Sequence, residues 1–272
     1  VIQASMMTKS IERAQKKVEE NNFGIRKRLL EYDDVMNAQR EVIYKRRYNA
    51  LNGERLQVDI ANMLYETCDQ ICATNLANKD YKQFEFELIR LFSLTSPVTA
   101  ADFESQSPEQ LTELVYQAAL AHYQKKMEEN AKRVFPVIKD VYQNPSNTFK
   151  RIVVPFTDGV RTLNVVSDLE DAFESEGKNL VNDFEKNISL AIIDESWKDH
   201  LRKMDELKQS VQLAVHEQKD PLLIYKFESF ELFSVFMDHV NRDIISFLFK
   251  GELPTQDPNT IREARATRRK ER

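Results

Sequence analysis

Apolar residues recur early in the chain at Ile11, Ala14, Val18, Ile25, Leu29, Tyr32, Met36 and Ile43, at spacings of three, four and seven. That is the period of a single helical face. Ile60, Leu64, Cys68 and Ile71 carry the period past Asn52-Gly53. The pattern predicts a very long first helix, about 60 Å or more at 1.5 Å per residue, with a break near Gly53. A helix of that length cannot be covered by its own sequence neighbours, so it reads as a spine for other elements.

The pattern changes after residue 74. Thr95-Ser96-Pro97 closes a helix, and Thr99-x-x-Asp102 has the form of a short cap. Ser107-Pro108-Glu109-Gln110 joins an N-cap, a proline at the first helical position and a glutamine at the third. The helix it opens should reach about Tyr142, with Pro136 bending it or ending it early. From Lys150 to Val166, two β-branched runs flank Asp158-Gly159, which predicts a hairpin with a two-residue turn. Ser167-x-x-Glu170 is a further capping box. Residues 74–185 thus read as a smaller, mixed insertion.

Two more stripes follow. Leu190, Ile193, Trp197, Leu201, Met204, Leu207, Val211 and Ala214 form one; Phe227, Phe230, Phe233, Met237, Val240, Ile244 and Phe247 form the other. Between them, Asp220 can cap a helix that begins at Pro221. The prediction is an αα-hairpin with its aromatics inward and its tip projecting. After Gly251, Pro254 and Pro258 are expected to end the ordered structure. The tail at 261–272 carries six basic and two acidic side chains and reads as a linker or a contact for an acidic surface.

Composition sharpens this picture. The chain has five Gly and eight Pro in 272 residues, where average usage gives roughly 19 Gly. This favours long helices and leaves no glycine spacing for a phosphate-binding loop. The fold class is therefore mainly α with one small β-hairpin. A net charge of −5 supplies no basic field for nucleic acid. No apolar run reaches the length of a membrane span, and no signal-peptide pattern is present, so a soluble, unexported protein is expected. Val1 followed directly by helical sequence suggests a piece of something longer.

Candidate chemistry is sparse. Cys68 and Cys72 lie four apart and read as small hydrophobes on one helical face, since a zinc site needs about four ligands and His122, His200, His216 and His239 are scattered. No histidine follows a glutamate by three, which excludes the di-iron pattern. Asp33 and Asp34 point about 100° apart on a helix, too divergent to share a proton. Trp197 reads as core. No catalytic residue and no metal site is predicted.

Residues 22–40, Asn22-Phe23-Gly24-Ile25-Arg26-Lys27-Arg28-Leu29-Leu30-Glu31-Tyr32-Asp33-Asp34-Val35-Met36-Asn37-Ala38-Gln39-Arg40, resemble the N-F-x-I-R-K-x-L-L-E-Y-D-D-V-x-N-x-Q-R block of the bacterial SecA preprotein translocase family. Ala14 to Glu19 match its lead-in. Trp197-Lys198-Asp199-His200-Leu201 with Met204-Asp205 resembles the family's W-K-[ED]-H-L-x-x-M-D. Gln218-Lys219-Asp220-Pro221, then Tyr225-Lys226 and Glu228-Ser229-Phe230, is similar to Q-K-D-P-x-x-x-Y-K-x-E-S-F. Three blocks in the family's order bracket nearly the whole chain.

The resemblance implies a C-terminal fragment: residues 1–73 as the long first helix of a helical scaffold, 74–185 as an inserted helical wing, 186–250 as a two-helix finger and 251–272 as a linker or tail. The 150–166 hairpin is not expected of the family core. ATP and Mg would be held by motor domains upstream, with no cofactor in this fragment, which should be inactive alone. The implied function is to couple ATP-driven motor movement to passage of unfolded preproteins through the SecYEG channel. The implied location is the cytoplasm, peripherally on the inner membrane, where an acidic phospholipid surface is a further partner. Arg26, Lys27, Asp33, Asp34, Asn37 and Arg40 are candidate contacts with the motor, because an amphipathic spine needs charge pairing where domains dock. Val215, His216, Glu217 and Gln218 are candidate finger-tip contacts with polypeptide or channel. Many members carry H-L-R-G-Y-A-Q in the finger loop, where this chain reads Gln212 to Gln218, so His216 would meet the polypeptide with a smaller, titratable ring. The zinc-binding cysteine tail of many members is absent within these residues. Composition and periodicity alone fit equally a stand-alone α-helical scaffold or dimerisation module with no motor.

Overall fold

A computed structural model describes residues 5–53, 55–144, 149–212, 220–253 and 262–263, with the backbone alone at 5, 6, 262 and 263. The elements in order are α1 (Ser5–Asn52), α2 (Leu56–Asn78), α3 (Tyr81–Phe92), α4 (Ala100–Ser105), α5 (Pro108–Gln143), β1 (Arg151–Thr157), β2 (Thr162–Asp168), α6 (Leu169–Glu174), α7 (Lys178–Ser210), α8 (Pro221–Lys250) and β3 (Arg262–Glu263). The mainly α class with a small antiparallel sheet is as the sequence predicts. The residues fall into two compact units, one of Val1–Arg46 with Trp197–Phe236 and the other of Arg47–Ser196 with Met237–Arg272.

In the first unit, segments of α1, α7 and α8 pack side by side. Trp197 lies against Phe236, whereas Met204, Leu207 and Val211 cluster with Tyr225. That pairing makes α7 and α8 antiparallel here. Asp220 caps α8 as expected, its carboxylate accepting the Leu222 N–H at 3.0 Å.

The second unit holds the larger core. α2 buries Ile60, Leu64, Cys68, Ile71 and Cys72, and α5 buries Leu111, Val115, Ala119, Met127 and Ile138. The break after α1 falls at Gly53, which adopts φ +74, the left-handed region a glycine enters without steric cost. Both capping boxes form, Thr99 with Asp102 and Ser107 with Gln110. Pro136 sits inside α5, which continues past it to Gln143.

Four expectations need correction. The hairpin loop spans four residues rather than two, because Thr157 pairs with Thr162 and the Asp158 carboxylate accepts the N–H groups of Val160 and Arg161 at 2.9 and 2.6 Å. The cap of α6 is Asp168, not Ser167, whose hydroxyl donates instead to Asp183 at 2.6 Å. Ordered structure does not end at Gly251: Glu252 bridges Thr157, and β3 pairs with β1, giving the sheet order β2-β1-β3. Finally, Phe227 and Phe230 point outward, 67% and 73% exposed. The buried face of α8 in its unit instead follows Tyr225, Ser229 and Phe236, at helical intervals that leave Phe227 and Phe230 on the far side.

Candidate functional site

The three-helix unit carries every described residue singled out for a functional contact. Arg26, Lys27, Asp33, Asp34, Asn37 and Arg40 all lie on α1 and all are exposed. Arg40 donates to the Asn37 side-chain oxygen at 3.0 Å, and Lys208 of α7 approaches the Asp33 carboxylate at 3.9 Å. The same Lys208 ammonium stands 5.6 Å over the Tyr32 ring. The predicted finger-tip residues Val215, His216, Glu217 and Gln218 lie outside the described residues.

Beneath this polar surface the helices are tied by a buried relay. His200 of α7 meets the Gln39 side-chain oxygen at 2.9 Å, and the Gln39 amide donates to the Ser229 carbonyl of α8 at 3.1 Å. Because the Ser229 carbonyl can only accept, the glutamine must turn its NH2 toward α8 and its oxygen toward His200. His200 therefore donates through Nε2 as a neutral imidazole. Burial, with Lys203 nearby, pushes its pKa down to about 4, so it stays neutral across the physiological range. Trp197 and Phe236 enclose its ring, with centroids 5.4 and 4.6 Å away.

One turn before Ser229 on α8 and two turns before Gln39 on α1, Tyr225 packs on Tyr32 at 4.8 Å between ring centroids. Burial, with Asp205 and Asp33 nearby, raises the Tyr225 pKa to about 12. These groups are held neutral, and none is arranged as a nucleophile with an adjacent base. Among the described residues no group of His, Cys, Asp or Glu could hold a metal ion. The arrangement is suited to holding helices in register and to presenting a surface. Among the described residues, too, no helix is long and apolar enough to cross a membrane.

The family model described as SecA Wing and Scaffold domain matches residues 1–252. The chain belongs to this SecA family. It is 66% identical over its whole length to the protein translocase subunit SecA of Christiangramia forsetii, and 65% identical to that of Flavobacterium psychrophilum. The SecA subunit of Cytophaga hutchinsonii is 50% identical over 97% of the chain. The chain spans about a quarter of the length of these relatives, 24% in each case.

Within this SecA wing and scaffold chain, all three sequence blocks meet in space: Gln39 lies in the first, His200 in the second and Ser229 in the third. Sequence reasoning missed the relay, setting His200 aside as a scattered histidine. The available signal was a histidine and a glutamine on otherwise apolar helix faces, where a polar group needs a partner.

Proposed function

We propose that this chain is the transmission part of a SecA-type protein translocase, passing nucleotide-driven movements of motor domains elsewhere in the parent polypeptide to a finger that contacts unfolded preprotein at the SecYEG channel. Residues 1–73 and 186–250 would be scaffold and finger, 74–185 the wing and 251–272 a linker. ATP and Mg belong to the parent's motor. Work at the channel places the protein peripherally on the cytoplasmic face of the inner membrane, where acidic phospholipid is a further partner.

The observation that carries this reading is the α1 surface in a chain covering a quarter of its relatives. The six polar candidates share that helix with Ile11, Val18, Ile25 and Leu29, each more than half exposed. An amphipathic helix that leaves its apolar stripe uncovered has surface for a further domain. The test is a double charge reversal, Arg26→Glu with Arg40→Glu, in the full-length protein. Preprotein transported into inverted membrane vesicles per ATP hydrolysed should fall at least about fivefold, the loss of roughly 1 kcal/mol or more of docking energy. Unchanged coupling, with a folded protein that still hydrolyses ATP, would overturn the motor-contact assignment.

A further inference from the structure

The second unit contains a polar cleft of about 460 Å³, within the roughly 300–1,000 Å³ typical of small-molecule sites. One wall is a face of α5, on which His122, Lys125, Lys126, Glu129 and Arg133 recur at helical intervals. The rest of the lining includes Asp158 of the β1–β2 loop, Lys250 at the end of α8 and Glu252 just beyond that helix. Its lining is charged, which is the wrong chemistry for an apolar ligand.

The charges are not balanced. Asp158 is committed to its own loop, accepting two backbone N–H groups and lying 3.6 Å from the Arg161 guanidinium. Its carboxyl is accordingly held below the usual range. Glu252 is committed to Lys126 at 3.5 Å, and the same ammonium donates to the Phe249 carbonyl, neutralising the C-terminal end of α8. That leaves the cations of Lys125, Arg133 and Lys250 against the single carboxylate of Glu129. No ion pair joins any of these four among the described residues. The excess is felt by His122, whose ring stacks on Phe249. Burial, then Lys126 and Lys125, hold its pKa below the ordinary value, with Glu129 pulling the other way.

The geometry points to a binding site for a multivalent oxyanion of the diphosphate type, gripped by Arg133, Lys125 and Lys250. A guanidinium and two ammonium groups converging on a cleft of this size suit several phosphoryl oxygens better than a single small ion. The bound anion would also relieve the repulsion on His122, raising its titration midpoint.

The test uses the whole chain and inorganic pyrophosphate as the probe, titrated calorimetrically at low salt. Saturable one-to-one binding is expected with Kd below about 1 mM. Arg133→Gln and Lys125→Gln should each weaken it about fivefold or more, while Lys198→Gln, an exposed lysine of the other unit, leaves it unchanged. The His122 ring resonances should titrate at higher pH with pyrophosphate present. No saturable binding, or equal weakening by Lys198→Gln, overturns the proposal. Flotation with phosphatidylglycerol vesicles forms the second arm: Arg133-dependent vesicle binding without pyrophosphate binding would also overturn it, assigning the cations to a lipid surface.

Discussion

Replacing Gln39 by Leu tests the relay that ties three helices together. Leucine nearly matches glutamine in volume, so the change deletes hydrogen bonds without opening a large cavity. Gln39 is 6% exposed and His200 2%, so water cannot substitute for the lost partner. The His200 Nε2–H loses its acceptor, whereas the Ser229 carbonyl, inside α8, keeps its helical N–H partner; one unsatisfied buried donor sets the expected loss at about 1–3 kcal/mol. The assay is urea unfolding followed by the fluorescence of Trp197, the chain's single tryptophan, which stacks on His200 and so reports this unit. The relay also has a pH signature. Its histidine has a folded pKa of about 4 against 6.5 when free, so the unfolded chain takes up the proton first. Stability should therefore be complete above about pH 6.5 and fall by about 3 kcal/mol as the pH drops toward 4. His200→Phe should remove that dependence. A Gln39→Leu transition within about 0.5 kcal/mol of the parent chain would refute the relay as a structural tie.

Three further outcomes are expected. Gly251→Ala should destabilise the second unit by about 1–3 kcal/mol in thermal unfolding, because an added Cβ would sit 2.7 Å from the Phe184 ring and 2.9 Å from the Phe247 carbonyl. Glu185 is buried and accepts the Tyr123 hydroxyl at 2.8 Å, and burial holds its carboxyl above the usual range. Its contribution is therefore greatest below the unfolded pKa near 4.5 and is lost as pH rises, so Glu185→Gln should flatten the urea midpoint against pH and leave the variant more stable than the parent at pH 8. Cys68 and Cys72 are both fully buried, and burial pushes the Cys72 thiol up to about 12 and Cys68 higher still. A thiol-labelling reagent should modify neither in the folded chain and both in urea.

Local signals proved readable where the chemistry is local. Ser107-Pro108-Gln110 and Asp220-Pro221 start helices because the capping oxygen lies two or three residues from the N–H groups it serves. The thiol face of α2 is buried for the reason its period implies. Reading failed where packing partners decide. The stripe Ile11, Val18, Ile25 and Leu29 is helical as the period demands, but period alone cannot say what covers a face, and among the described residues these four stay more than half exposed. On α8, following aromatic residues alone selected Phe227 and Phe230, whereas the buried row runs through Tyr225 and the small Ser229, which a hydrophobicity pattern overlooks. The pairing of β1 with β3 joins residues more than a hundred positions apart, with no turn signal between them. The Gln39–His200–Ser229 relay is non-local in the same way: each member sits in a readable motif, but only the fold brings them together.

The proposed role is delivery of motor movement to a polypeptide at the finger tip. The most direct measurement places a photo- or thiol-crosslinker at the tip through His216→Cys in the full-length protein, engaged with a preprotein stalled in the channel. The account predicts crosslinks to the preprotein or to the channel that depend on ATP. A folded, ATP-hydrolysing protein that forms neither crosslink would contradict it.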